Sequence, residues 1–251
     1  AYEGRRRDFA EQQLIALLQL IERGDVRWDE LRGSWAGGMG HTQFIPTTFL
    51  QYGVDGNGDG RRDPWQIEDA LASTANYLSK SGWQRGQRWG REVRLAPDFD
   101  YRYIENNLAP AQWGQLGARQ ADGAALTNEA GTARLWLPAG VSGPALLTYP
   151  NFKTIKVYNN ADSYALAIGL IADGISGGGG ISASWPRDEQ GLTRDQVQRL
   201  QQNLTAQGYD TKGTDGVMGA NTRRAFAAWQ AANGQTPDGF ISQRSAAALI
   251  H

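Results

Sequence analysis

Four consecutive glycines, Gly177–Gly180, followed within four residues by Ser182, Ala183 and Ser184, constrain this chain more than any other feature. Glycine loses more backbone freedom on ordering than any other residue, so neither a helix nor a strand runs through such a segment. The sequence therefore predicts a large N-terminal domain over residues 1–175, a Gly/Ser linker over 176–186 and a small C-terminal unit over 187–251. The linker is expected to let the small unit move independently. The alternative is a module that packs on the first domain.

Composition narrows the class. Of 251 residues, 40% are hydrophobic and 20% charged, which is lean in apolar residues but not disordered. Twenty-five Lys and Arg face 26 Asp and Glu, a net charge of -1, so a globally basic nucleic-acid binder is excluded as the default. The absence of cysteine removes disulfides, thiolate zinc sites and a Cys nucleophile. No apolar run approaches the roughly 18 residues of a membrane span. No signal-peptide pattern opens the chain, and its charged first residues read as the middle of a domain whose natural start is missing. Glycine (32) and tryptophan (9) are abundant. Aromatic rings with polar edges suit flat, polar ligands such as sugars.

Periodicity places the elements. Phe9–Glu22 reads as a helix with Phe9, Leu14, Leu17, Leu18 and Ile21 inward. Pro46–Tyr52 reads as a short helix with proline in its first turn. Asp69–Lys80 reads as a helix with Ala70, Leu71, Ala75 and Leu78 inward. Residues 91–96, 133–137 and 145–148 are strand candidates, residues 149–160 read as irregular, and Tyr164–Ala172 reads as a helix. In the C-terminal unit Leu192–Gln207 is helical, with Val197, Leu200 and Leu204 as its stripe. There Asp215-Gly216-Val217-Met218 resembles Asp238-Gly239-Phe240-Ile241, 23 positions later, each leading into a helix. Two copies are too few for a solenoid and predict a compact three-helix module.

The segment Asp55-Gly56-Asn57-Gly58-Asp59-Gly60-Arg61-Arg62-Asp63 places oxygen side chains at loop positions 1, 3, 5 and 9 and glycine at position 6. That is the opening of an EF-hand calcium loop, in which alternate residues of a tight turn converge on one cation. The expected ligands are Asp55, Asn57, Asp59, the carbonyl of Arg61, and Asp69. Position 12 is Gln66 instead of the usual glutamate, which implies a longer or weaker site. An ion-free surface turn is the plain alternative. Ca²⁺ here would be a structural staple, and no organic cofactor is indicated. His41 is no metal ligand, since His251 is the other of only two histidines.

Gly33-Ser34-Trp35-Ala36-Gly37-Gly38-Met39-Gly40-His41-Thr42-Gln43-Phe44-Ile45-Pro46 implies a polar ligand cleft, with bare backbone beside a hydroxyl and an amide. This segment resembles the G-S-x-A-G-x-M-G-x-x-Q-F-x-P run of the B-type lytic transglycosylases of bacterial cell walls. The Asp55–Gly60 loop, Ala75-Asn76-Tyr77 and Tyr158-Asn159 through Tyr164 follow in that family's order, so the resemblance covers about residues 1–175. Separately, Leu200-Gln201, Gly208-Tyr209, Asp215 through Gly219, Ala225-Phe226 and Trp229-Gln230 resemble the peptidoglycan-binding repeat domain.

The resemblance implies a mainly α protein: a lysozyme-like helical domain with a small β-containing insertion at about 91–150, and a small three-helix C-terminal module. It implies cleavage of the MurNAc-β-1,4-GlcNAc bond with 1,6-anhydromuramyl products, in cell-wall remodelling. It also implies substrate contacts from Ser34, Gln43, Tyr77, Tyr158, Asn159 and Tyr164. The partners implied are peptidoglycan strands and muropeptides, with other cell-wall enzymes besides and no nucleic acid. A monomer is expected, in the periplasm of a Gram-negative bacterium, soluble or associated with the outer membrane. Tyr77, on an Ala/Leu helix, reads equally well as a core residue. The family's catalytic glutamate lies upstream of an R-R-x-x-F element, which here is Arg5-Arg6-Arg7-Asp8-Phe9. None of the glutamates at 3, 11, 22, 30, 68, 92, 105, 129 and 189 has the family's glycine context, so the acid is expected upstream of Ala1. A calcium-stapled, non-catalytic glycan-binding scaffold is the competing reading. An EF-hand sensor would need paired loops and a Met-rich groove, against one loop and two methionines.

Overall fold

A computed structural model of the chain describes residues 6–127 and 131–250. Glu3, Glu129 and His251 lie outside the described residues. Contacts separate the chain at Gln84/Arg85 into two compact units, which is not where the glycine run predicts a division.

The first unit holds three helices: α1 (Arg7–Glu22), α2 (Pro46–Tyr52) and α3 (Ile67–Lys80). Within α1 the buried residues are Ala16 and Leu20, while Leu14, Ile15 and Leu18 are each more than half exposed. The predicted stripe through Leu14 and Leu18 is therefore corrected. α1 is apolar on several sides, and its contact with α2 selects the face bearing Gln13, Ala16 and Leu20. There Gln13 Oε1 accepts from Thr47 N (3.1 Å) and Thr47 Oγ1 (3.0 Å), satisfying a donor that the first turn of α2 leaves open. α2 has proline in its first turn, as predicted, and buries Phe49. α3 begins two residues earlier than predicted and buries Asp69, Ala70 and Ser73, whereas Leu71 is exposed. Polar residues win these positions because they satisfy loop backbone: Val54 N donates to Ser73 Oγ at 2.9 Å.

The second unit is built on a five-stranded antiparallel sheet of order β2-β4-β5-β1-β3. Its strands are β1 (Gly90–Leu95), β2 (Asn107–Leu108), β3 (Ala118–Gln120), β4 (Ala133–Trp136) and β5 (Ala145–Thr148), with α4 (Pro110–Gln115) between β2 and β3. Side chains alternate across the two faces. Val93, Leu135, Ala145 and Leu147 share one face and enter a core closed by Phe99 and Trp113. Trp113 is fully buried, and its Nε1 donates to the Ala133 carbonyl at 2.9 Å, as a buried indole requires. Glu92, Arg134, Trp136, Leu146 and Thr148 share the opposite face.

The segment after β5, predicted irregular, is instead the helix α5 (Pro150–Tyr158), and α6 (Asp162–Ile175) follows. Pro150 starts α5, and Phe152 packs on Trp136 (5.3 Å between centroids) and Trp89 (6.1 Å). Gly169 of α6 lies so close to the Trp89 ring that a Cβ would overlap it, and Trp89 Nε1 donates to Asp173 Oδ2 at 2.9 Å.

The C-terminal module consists of α7 (Arg194–Ala206), α8 (Ala220–Ala232) and α9 (Ala247–Ile250). Thr193 caps α7, with Thr193 N donating back to Gln196 Oε1 (2.9 Å). Its core gathers Leu200, Leu204, Phe226, Trp229, Leu249 and Ile250. The repeat read from the sequence has a structural counterpart. Gln201 Nε2 donates to Asp215 Oδ1 (3.3 Å) while Gly216 N donates to Gln201 Oε1 (2.9 Å). Gln230 Nε2 donates to Asp238 Oδ1 (3.0 Å) while Gly239 N donates to Gln230 Oε1 (2.9 Å). Each turn also needs its glycine, at φ 72° and 66°.

Hydrogen bonds tie both the linker and the module to the sheet. Glu92 on β1 accepts from Ser182 N (2.7 Å), Ser182 Oγ (2.9 Å) and Ala183 N (2.7 Å), which fastens the linker to the sheet. Val141 N donates to Asp238 Oδ2 at 3.0 Å. A Cβ on Gly140 would lie 2.8 Å from that oxygen and 2.9 Å from Phe240 Cβ. The docking alternative describes this arrangement.

Candidate functional site

In the glycine-rich segment after α1, Gly33 bridges to Met39 and Met39 to Phe44. Ser34 N donates to the Gly38 carbonyl (2.9 Å), Gly38 N to Ser34 Oγ (3.0 Å) and Met39 N to the Phe44 carbonyl (2.9 Å). Met39 is the buried pin of this loop, so the apolar residue of the run sets the positions of its polar neighbours. Gln43 has φ 56°, a left-handed conformation that costs a non-glycine residue about 1–3 kcal/mol unless its surroundings hold it. The bond from Gln43 Nε2 to the Gly40 carbonyl (2.9 Å) helps do so.

Gly38 is the centre of this arrangement. A Cβ there would sit 2.8 Å from Gln43 Oε1 and 3.1 Å from Ser34 Oγ. The predicted hydroxyl and amide therefore converge over Gly38, whose backbone is buried and bonded to Ser34, while the Ser34 and Gln43 side chains are themselves exposed. Tyr77 packs edge-on against Tyr52 (5.0 Å) and tilted against Phe44 (5.4 Å), next in sequence to Gln43. Burial pushes its phenol pKa up. Trp35 stands fully exposed in the same loop. Sequence reasoning quoted it within the motif but did not single it out. The available signal was a large apolar ring between glycine-rich turns, where it has nothing to pack on.

Tyr158, Asn159 and Tyr164 belong to the second unit. The rings of Tyr158 and Tyr164 stack at 6.2 Å with 7° between planes. Burial pushes the Tyr164 phenol pKa up. Asn159 ends α5, is exposed, and takes Ala161 N on its carbonyl at 2.8 Å. A flat pair of rings beside a free amide is a surface on which a sugar face can lie.

The acidic loop closes on its own backbone. Asp55 Oδ1 accepts from Gly58 N (2.6 Å) and Asp59 N (3.2 Å), and Asp55 Oδ2 from Gly60 N (2.8 Å). These donors, Gly60's first, hold the Asp55 carboxyl below its usual range. Asn57 Oδ1 accepts from Asp59 N (2.9 Å), and Asp59 Oδ1 from Arg61 N (2.9 Å). The Arg61 side chain points elsewhere, its Nε donating to the Gly24 carbonyl at 3.1 Å.

Asp69, at the start of α3, is fully buried. It accepts from Gly56 N (2.8 Å), Asn57 N (3.4 Å) and Asp63 N (2.7 Å), stapling the loop to the helix. Among the described residues no group of three or more acidic or histidine side chains converges as a metal-binding set. The donors present are all hard oxygens, which suits calcium in chemistry.

A proton-donating carboxyl needs burial in apolar surroundings. Glu11 pairs with Arg7 (2.7 Å), Glu30 with Arg27 (3.5 Å), Glu189 with Arg244 (3.5 Å) and Glu105 with Arg134. Glu92 holds the linker, and Glu22 and Glu68 are exposed. Every described glutamate is thus ion-paired, bonded to backbone or in solvent.

Residues 1–173 match the family model "Transglycosylase SLT domain", and residues 193–249 match "Putative peptidoglycan binding domain". The membrane-bound lytic murein transglycosylase B of Escherichia coli (strain K12) is 34% identical over 151 residues. That match covers 58% of this chain, which spans 40% of that relative's length. The structure of SltB3 from Pseudomonas aeruginosa, in complex with NAG-anhNAM-pentapeptide, superposes with a TM-score of 0.91 at 48% identity over 99% of this chain and 68% of that one. The lytic transglycosylase Slt35 of E. coli, in complex with calcium, superposes with a TM-score of 0.55 at 29% identity, covering 68% of this chain and 55% of that one. With its lysozyme-like helical fold and small sheet, and a family match over most of its length, this chain belongs to the transglycosylase SLT domain family.

Proposed function

We propose that the protein is a peptidoglycan lytic transglycosylase, cleaving the β-1,4 bond from MurNAc to GlcNAc with formation of a 1,6-anhydromuramyl end. The observation that carries this reading is the placement of Ser34 Oγ and Gln43 Oε1 around Gly38, within a chain whose residues 1–173 match the family. An exposed hydroxyl and an exposed amide are donors and acceptors that suit a neutral N-acetylated sugar. The stacked Tyr158 and Tyr164 offer a ring face of the second unit to the same class of ligand.

The glycosidic oxygen leaves poorly until it is protonated. A glutamic acid donates that proton, and the carboxylate it becomes then accepts the proton of the C6 hydroxyl as that oxygen closes on C1. The acid is proposed to lie N-terminal to residue 1, as the resemblance of Arg5-Arg6-Arg7-Asp8-Phe9 to the family's R-R-x-x-F element implies. The loop over 55–63 is proposed to hold Ca²⁺ through Asp55, Asn57, Asp59 and the Arg61 carbonyl, with Asp69 as the further carboxylate, where the ion would tie the loop together. The C-terminal module is proposed to bind wall glycan.

The expected setting is the periplasm of a Gram-negative bacterium. Among the described residues no helix is long and apolar enough to cross a membrane. The commitment of every described glutamate favours a second reading, a calcium-stapled binding scaffold without catalysis.

Purified sacculi discriminate the two. Residues 1–251 are expected to sediment with sacculi without releasing fragments, and a longer chain that includes the family's glutamate is expected to release anhydro-ended muropeptides. Silence of the longer chain would leave the scaffold reading standing. Products with hydrolysed, reducing ends would overturn the transglycosylase reading.

A further inference from the structure

The second unit contains a cleft of about 980 Å³ that shares no residue with the site above. Its floor is the second face of the sheet, with Arg134, Trp136 and Thr148, and its walls are α5 and α8. Six cationic side chains line it (Arg102, Arg134, Lys153, Lys156, Arg223 and Arg224) against three carboxylates, Glu105, Asp162 and Asp238.

The pairing is uneven. Arg102 pairs with Asp100 (2.5 Å), Arg134 with Glu105, and Lys156 with Asp162 (2.6 Å). Asp238 is occupied by Val141 N, Gln230 Nε2 and Phe240 N. Among the described residues Lys153, Arg223 and Arg224 have no carboxylate partner. Arg224 Nη2 donates only to Asn221 Oδ1, at 2.8 Å. Lys153 comes from α5 and the two arginines from α8, so unpaired positive charge faces the cleft from two walls. The rest of the α8 wall is small, with Ala220, Ala227, Ala228 and Ala231, which keeps the cleft open.

We propose that this cleft binds the peptide side chains of peptidoglycan through their carboxylates, using Lys153, Arg223 and Arg224. This rests on the proposed function for the polymer that brings the peptide. Where the lactyl carboxyl of NAM is amide-bonded to the peptide, the sugars are neutral and leave the three cations without a counter-charge, whereas the wall peptide carries a free C-terminal carboxylate and acidic residues. Arginine forks suit carboxylates, and the partly exposed Trp136 ring offers apolar surface to the peptide's small side chains. Three carboxylates within the cleft, in a chain of net charge -1, disfavour a nucleic acid. The docking of the module through Asp238 and Glu92 preforms the cleft from two segments distant in sequence.

The test is calorimetric titration of residues 1–251 with three wall probes, the neutral disaccharide NAG-NAG, NAG-NAM-pentapeptide, and the same pentapeptide compound with its carboxylates converted to amides, and with a single-stranded oligonucleotide as a control polyanion. The acidic compound is expected to bind tighter than the other two, with an advantage that shrinks in high salt. Exposed charge pairs contribute about 0.2–1 kcal/mol each, so the double variant R223Q/R224Q is expected to lose about fivefold to tenfold for the acidic compound and nothing for the disaccharide. Lys153→Gln, on the other wall, is expected to lose about twofold to fivefold. R223K/R224K is expected to retain most of the affinity, which separates charge from a folding defect. Equal affinity for the acidic and amidated compounds would overturn the proposal while leaving the wall-glycan reading intact. Failure of all three probes to bind would overturn both. Loss in the double variant confined to a single-stranded oligonucleotide would assign the cleft to nucleic acid instead.

Discussion

The two Asp-Gly turns of the C-terminal module have the same local chemistry and different uses. In each, a buried glutamine bonds the aspartate with its amide nitrogen and the glycine with its amide oxygen. Each aspartate Oδ1 also takes a backbone N–H two residues on, Val217 N at 2.9 Å and Phe240 N at 3.0 Å. The first turn spends its remaining contacts inside the module, where Gln201 Nε2 also reaches the Val217 carbonyl and Thr222 Oγ1, each at 3.1 Å. The second reaches out, its Asp238 Oδ2 accepting Val141 N from the sheet domain. A repeat thus specifies a turn, and neighbours distant in sequence decide whether the turn holds a core or an interface.

The largest separation between the copies is expected from their glutamines. Gln201→Ala removes a side chain with four partners and is expected to destabilise the module by about 2–4 kcal/mol. Gln230→Ala removes two bonds, for about 1–3 kcal/mol, because buried polar groups left unpaired cost about 1–3 kcal/mol each. Denaturant dependence of hydrogen exchange at the Gly216 and Gly239 amides reads the two separately. Equal losses would mean that the additional bonds of Gln201 contribute nothing.

A smaller effect isolates the interface. Asp238→Asn keeps an acceptor for Gln230 and Phe240 but removes the charged oxygen facing Val141. Exchange of the Val141 amide is expected to quicken by about fivefold to tenfold, corresponding to one hydrogen bond of about 1 kcal/mol, with the Gly216 amide unaffected. Asp215→Asn is expected to leave Val141 unchanged. If both variants quickened Val141 alike, the docking role of the second copy would fall.

The smallest effect is on pH dependence. Val217 N, and then Gln201, hold the Asp215 carboxyl below its usual range. A depressed folded-state pKa adds stability that is fully present above the ordinary carboxylate range and fades as pH falls through the folded value. The module is therefore expected to lose stability on acidification below that range, with a shallower loss in Asp215→Asn. Thermal midpoints measured across that interval check the slope, and identical slopes would mean that the clamp does not act on the charged form.

Where chemistry is local, it was legible before the structure. The proline of α2, the strands over 133–136 and 145–148, the helix α7 with its Val197, Leu200 and Leu204 stripe, and the Asp-Gly repeat all follow from neighbouring residues. Ser34 and Gln43 were readable as candidates because glycine, hydroxyl and amide fall within one short run, and the bonds that arrange them also lie within it. α5 was missed because its helix is set by packing of Phe152 on Trp136 and Trp89, which no local period reports. The inward face of α1 was misread for a related reason. The sequence offers several apolar faces, and Gln13, a polar residue, marks the one used.

The residues alone thus determined the family, the helical character, the glycine-rich loop with its hydroxyl and amide, and the three-helix module, since each depends on contacts within a few turns of chain. Only the tertiary structure decided that the linker is fastened, that the module docks on the sheet, and that Lys153 shares a cleft with Arg223 and Arg224. Those outcomes depend on carboxylates meeting backbone amides about ninety residues away in sequence. Such pairings arise from how whole elements pack, and no pattern along the chain encodes which amide a given carboxylate will meet.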